Sequence, residues 1–192
     1  MIIIKDDFKK SHIITMKMWK LSKEEDSWAR YNTIFDFSRE VNETKINPTV
    51  ARFKVTAEAN SHPLERSGFI RIGAKDSTLV LGNLDSQAIT TYNTSVTTTT
   101  TGNNSTGHSS STSSFGKNQS TETKTSMNTT SRTHKELTGT FLLTKEQEAE
   151  ILASDFFAIR LYSGTKPITI SFAEDDLETL KKFLTAKPEA GN

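Results

Sequence analysis

The sequence predicts an α+β protein: an antiparallel β-sandwich or half-open barrel of about eight strands, with two short helices in the C-terminal third. Three observations carry this. Apolar residues alternate with period two through roughly the first ninety residues, as half-buried strands require. Helix signals arise only from Thr144 onward. Strands precede helices without β-α-β alternation, which argues against a doubly wound nucleotide-binding fold.

The elements follow in order. His12 to Leu21 alternates, with Ile14, Met16 and Met18 on one side and Trp19 out of phase. Trp28 to Phe37 places Tyr31, Thr33, Phe35 and Phe37 on one face. After the Asn47-Pro48 turn signal, Val50 to Ala57 sets Ala51, Phe53, Val55 and Ala57 against Arg52, Lys54 and Thr56. Asn60 to Pro63 is a loop. Phe69–Ile72 and Ser77–Leu81 form a hairpin about Gly73-Ala74-Lys75-Asp76. Ala88 to Val96 is compatible with a strand, and His134 to Leu143 puts Leu137, Gly139, Phe141 and Leu143 on one face. The other long aromatics, Phe69, Phe172 and Phe183 among them, read as core.

Thr144-Lys145-Glu146-Gln147 is a capping box. It starts a helix expected to run to about Ser154 and to bury Ala149, Ile151 or Leu152, and Ala153. Ala158 to Tyr162 is a strand with Ile159 and Leu161 opposed to Arg160 and Tyr162. A turn at Ser163 to Pro167 leads to Ile168, Ile170 and Phe172 on one face of the last strand. The second helix spans about Glu174 to Thr185. Its acids lie in the first turn and its lysines near the end, as the helix dipole favours, and Leu177, Leu180, Phe183 and Leu184 form its apolar stripe.

One stretch breaks this pattern. Of the forty residues from Thr94 to Thr133, twenty-four are Ser or Thr, and Val96, Phe115 and Met127 are the large apolar ones. Such a segment cannot build its own core. It lies between two expected strands, so residues 1–192 read as a single domain with an insertion at 94–133. That insertion is a long β-arm or a disordered loop. Thr favours strands, Thr–Thr cross-strand pairs add stability, and the block has no proline, all of which support an arm. Asn93, Asn103, Asn104, Asn118 and Asn128 head glycosylation sequons, and Asn42 a sixth, but a tract of this composition generates them by chance.

Composition excludes several chemistries. Without cysteine there is no disulfide, thiolate nucleophile or Cys-ligated metal. The net charge of +1, with mixed signs, gives no overall pull toward nucleic acid or anionic lipid. Lys17, Trp19, Lys20 and Lys23 are the nearest approach to a basic stripe, and Glu24, Glu25 and Asp26 follow at once. No apolar run is long enough to span a membrane. The start, Met1 to Asp7, lacks the form of a signal peptide, so the expected location is cytoplasmic as the chain stands, or envelope or secreted if a leader has been removed.

The four histidines form no metal-binding or catalytic pattern, the paired acids are consecutive and solvated or sit in a helix first turn, and neither a nucleophile elbow nor a phosphate loop is present. No catalytic, metal-binding or cofactor-binding residue is assigned, and no cofactor is expected.

The strand-helix-strand-hairpin-helix order from Leu137 to Gln147, through Ala158-Ile159-Arg160-Leu161-Tyr162, to Asp176–Leu184 resembles the closing half of small bacterial domains of uncharacterised function, often found in envelope-associated proteins. The resemblance carries over no site residue. What remains points to a non-enzymatic binding or structural module that presents its Ser/Thr-rich arm to a protein partner or to another copy, with glycan an alternative target. Candidate interaction residues are Trp19, Thr97, Thr99, Phe115, Arg160 and Tyr162. Two alternatives stay open. One is an enzyme with a loop-assembled site, in which Arg71, Arg160 and Tyr162 bind an anionic group. The other is a small cytoplasmic immunity- or adaptor-type inhibitor.

Overall fold

A computed structural model describes residues 1–23, 30–42, 46–102 and 121–188. The described residues contain ten strands and two helices: β1 (Ile2–Asp6), β2 (Ser11–Lys23), β3 (Arg30–Asn42), β4 (Thr49–Glu58), β5 (Ser67–Ile72), β6 (Lys75–Val80), β7 (Gly82–Gly102), β8 (Thr121–Leu143), α1 (Lys145–Ala153), β9 (Phe157–Ser163), β10 (Lys166–Phe172) and α2 (Glu174–Thr185). The fold is mostly antiparallel β, with both helices in the C-terminal third and ten strands where about eight were expected.

One sheet, curled into a half-barrel, has the order β1-β2-β3-β4-β8-β7; the other has the order β10-β9-β5-β6. The chain divides into two compact units. The first comprises residues 1–89 and 133–192, and the second is Thr90–Arg132. Strands β7 and β8 run through both.

The first unit holds the core. Period-two alternation sends Tyr31, Phe35 and Phe37 of β3, Phe53 of β4 and Phe141 of β8 inward, while their neighbours face outward. Phe172 of β10 and Phe183 of α2 come from the C-terminal third to meet them. The ring centroids of Phe35 and Phe172 are 5.3 Å apart, and those of Phe37 and Phe183 are 6.1 Å apart. Phe157 of β9 lies 4.8 Å from Phe172. This run of tilted and edge-on aromatic pairs joins both sheets and a helix around one interior.

Helix α2 matches its apolar stripe: Leu177, Leu180, Phe183 and Leu184 are buried. Arg39, itself buried on β3, donates from Nη1 to the Leu184 carbonyl in the last turn of α2, where a cation complements the helix dipole. Lys20 pairs with Asp176 in the first turn, and its ammonium stands 5.5 Å from the Phe172 ring centroid.

Several expectations need correction. β1 carries no strand signal in the sequence, because its isoleucines Ile2, Ile3 and Ile4 show no alternation; at the sheet edge all three stay exposed. Helix α1 has its capping box, yet it buries Glu148 and Ile151 and leaves Ala149, Leu152 and Ala153 outside. The reason is polar: Glu148 turns inward to accept a backbone hydrogen bond from Thr49 at the head of β4. Phe69 is 46% exposed rather than core, since Ile70 and Ile72 take the inward face of β5. The β5–β6 turn is shorter than expected: it consists of Gly73-Ala74 alone, with Gly73 at φ +58, a conformation that favours glycine. Trp28 lies outside the described residues.

Candidate functional site

The sequence-derived candidates fall on three surfaces. Trp19 is 65% exposed on the outer face of β2, opposite Ile34 of β3. Thr97 and Thr99 are exposed on β7 in the second unit. Phe115 lies outside the described residues. Arg160 and Tyr162 lie on β9, and only these two are brought together, with Arg71 of β5 beside them.

The second unit is a two-stranded ribbon. β4 ends at Glu58, which pairs with His134, so the ribbon part of β8 has β7 alone beside it among the described residues. Side-chain hydrogen bonds tie the two strands in mirrored register. Thr91 Oγ1 donates to the Arg132 carbonyl (3.2 Å), Thr130 Oγ1 to the Asn93 carbonyl (3.5 Å), and Ser95 Oγ to the Asn128 carbonyl (3.4 Å). Thr94 and Thr129 place their hydroxyl oxygens 3.2 Å apart.

That register has a consequence for the few apolar residues. With Thr94 opposite Thr129, two steps along each strand bring Val96 opposite Met127 on the same face, and Tyr92 lies on that face too. All three are exposed, at 71% for Tyr92, 57% for Val96 and 71% for Met127. Thr97 and Thr99 project from the other, hydroxyl-rich face. The sequence identified Val96 and Met127 as exceptions in composition, but only strand pairing shows that they are neighbours.

The third surface is the outer face of the four-stranded sheet in the first unit. Two rows cross it. Thr169, Arg160, Phe69 and Thr78 form one; Ser171, Ala158, Arg71 and Asp76 form the next. Ala158 has the smallest side chain in its row, and a depression of about 390 Å³ opens there, lined by Phe69, Arg71, Asp76, Arg160, Tyr162 and Thr169 among others. Gly68 lets β5 lie this close to β9: a Cβ at that position would stand 2.5 Å from the Arg160 carbonyl oxygen.

The charges are fixed by cross-strand bonds. Arg71 donates to Asp76 through Nε (2.6 Å) and Nη2 (2.7 Å), a bidentate fork. These bonds hold the Asp76 carboxyl below the usual carboxylate range. Partial desolvation opposes them, and the charges of Arg71 and then Arg160 add to the depression. They also raise the Arg71 guanidinium above its ordinary value. Arg160 Nε donates to Thr169 Oγ1 at 2.9 Å. The rings of Phe69 and Tyr162 meet edge to face at 6.2 Å.

Asp76 and Thr169 are members of this cluster that sequence reasoning missed. Asp76 was readable in principle, since a two-residue turn at Gly73-Ala74 forces it opposite Arg71; Thr169 comes opposite Arg160 through the β9–β10 hairpin. No helix among the described residues is long and apolar enough to cross a membrane. No known protein family model matches the chain, and neither a curated protein nor a solved structure is similar enough to count as a match.

Proposed function

We propose that the chain is one domain carrying an inserted β-arm, and that it works as a non-enzymatic interaction module which presents this arm to another protein surface. The observation that carries the reading is the state of the ribbon: among the described residues both strands have an open edge there, and Tyr92, Val96 and Met127 line one face with no described side chain covering them. A lone two-stranded ribbon is marginal in water and gains stability from a further strand or an apolar cover. An open strand edge carries unpaired N–H and C=O groups and is a template for the addition of another strand.

Of the two kinds of partner, a second copy has the stronger support. An edge strand is complementary to itself in antiparallel pairing about a twofold axis, and the Ser/Thr side chains along β7 suit cross-strand hydroxyl pairs. The test replaces Thr91–Arg132 by a tight two-residue turn, which keeps Thr90 opposite Thr133 and so preserves the register of β7 on β8. The shortened chain is expected to fold, because the aromatic core lies wholly in the first unit, and to lose self-association. If the shortened chain associates as the full chain does, the arm is not the interaction element.

A further inference from the structure

We propose that the outer face of the six-stranded sheet, from Trp19 across to Asn83, binds a neutral sugar chain whose rings carry equatorial hydroxyls. This surface lies within the first unit and is independent of the arm.

Strand pairing builds the surface from residues scattered along the chain. Two neighbouring rows cross the sheet from β2 to β8. Trp19, Ile34, Lys54 and Thr138 form one; Lys17, Asp36, Arg52 and Thr140 form the next. A depression of about 510 Å³ opens over these rows, with Asn83 of β7 at its far end. Trp19 stands at the β2 end, opposite Ile34 and largely exposed. The structure divides the basic stripe of the sequence. Lys20 turns inward to pair with Asp176, whereas Lys17 and Trp19 gain Asp36 and Arg52 from the next two strands.

The polar groups select a sugar. The side chains of Lys17, Asp36 and Arg52 share one row, yet none has a hydrogen-bond or ion-pair partner among the described residues. Exposed charge pairs of this kind are worth little to one another, so ligand hydroxyls can take their place. A hydroxyl both donates and accepts. It can give its proton to Asp36 and receive one from Lys17 or Arg52, so adjacent hydroxyls suit a carboxylate flanked by cations. The same arrangement disfavours nucleic acid. Asp36 stands between Lys17 and Arg52, and Glu136 holds Lys54 at 2.8 Å, so a phosphate backbone laid over the rows meets carboxylates among its cations.

The apolar groups agree. A pyranose with equatorial hydroxyls keeps its C–H bonds axial, and this apolar face can cover the exposed indole of Trp19. The volume of the depression lies within the range for ligand sites. Part of the lining is already fixed. Asn83 Nδ2 donates to Thr140 Oγ1 at 3.3 Å, and the side chains stand on paired strands, which lowers the ordering cost of binding.

The experiment titrates the full chain with cellohexaose and, separately, with a thymidylate dodecamer, following backbone amide shifts by NMR. Cellohexaose is expected to give saturable shifts around positions 17–19, 34–36, 52–54 and 138–140, with an affinity that added salt does not reduce. Trp19→Ala should weaken it about tenfold, and Trp19→Tyr should restore most of the loss. Asp36→Ala should also weaken it about tenfold, the loss of one charge-assisted hydrogen-bonding partner. This sign is diagnostic, because removing Asp36 would tighten the binding of a polyanion. Asp36→Asn keeps an acceptor oxygen and should give a smaller loss of the same sign; it serves if Asp36→Ala does not fold. The proposal is overturned if cellohexaose gives no saturable shift at these positions, or if Trp19→Ala leaves its affinity unchanged. It is equally overturned if the Asp36 variants bind cellohexaose as well as the parent or better, or if the thymidylate dodecamer saturates the same amides at lower concentration than cellohexaose.

Discussion

The backbone N–H of Thr49 donates to Glu148 Oε1 at 2.9 Å, so a buried carboxylate on α1 satisfies the first residue of β4. The bond explains why α1 presents the 148/151 row inward rather than its alanines. It also sets a test. Glu148→Ala leaves a buried donor without its acceptor and should cost about 1–3 kcal/mol, whereas Glu148→Gln retains an acceptor oxygen and should cost less. Urea unfolding is expected to show a lower midpoint at unchanged slope. Equal midpoints for Glu148→Ala and the parent chain would show that this bond does not hold α1 in place.

The aromatic cluster is expected to dominate stability. Phe172 touches Phe35, Phe37 and Phe157, which belong to both sheets. Phe172→Ala should lose about 3–5 kcal/mol, while Phe69→Ala, on the outer face, should stay within the small range of surface changes. Chemical denaturation of the two variants side by side checks the assignment. A larger loss at Phe69 would place the core elsewhere.

Gly68 should be intolerant of even a methyl group. The added Cβ would meet the Arg160 carbonyl oxygen at 2.5 Å, a backbone atom that cannot move without shifting β9. Gly68→Ala is expected to destabilise by about 1–3 kcal/mol and to shift the amides of Arg160 and its neighbours. An Ala variant with parent stability would mean that β5 and β9 do not approach so closely.

Acid titration addresses Asp76. Its folded pKa is depressed, so its contribution to stability is present above the ordinary Asp value and fades as pH falls through the folded value. Carboxyl shifts followed by NMR should show Asp76 titrating below the ordinary Asp range. Arg71→Gln should bring it back toward the ordinary range, and salt should reduce the difference. An Asp76 that titrates at the same pH in both proteins would break the link between the two residues.

How much of this was legible in the chain depends on how many constraints acted on each residue. The α2 boundaries and its buried stripe follow from sequence alone, because Leu177, Leu180, Phe183 and Leu184 combine helical spacing with burial on a single core. The inward residues of β3, β4 and β8 follow for the same reason with period two. β1 does not, because an edge strand with apolar residues on both faces carries no period. The α1 face is not legible in the same way, because hydrophobicity cannot anticipate a buried glutamate that serves a backbone donor. Arg71, Arg160 and Tyr162 could be placed on the outer face from the alternation of β5 and β9, but Asp76 comes from a hairpin whose turn length had to be known first. The Val96–Met127 pair depends on register between strands separated by the insertion itself, and no local pattern encodes that.

Sedimentation velocity over a range of protein concentrations tests the central claim most directly, comparing the full chain with a variant in which Tyr92, Val96 and Met127 are all serine. The account expects reversible, concentration-dependent association of the full chain that weakens sharply in the variant, with both proteins unfolding at the same midpoint at concentrations where each is monomeric. A full chain that stays monomeric at every concentration, or a variant that associates as strongly as its parent, would contradict it.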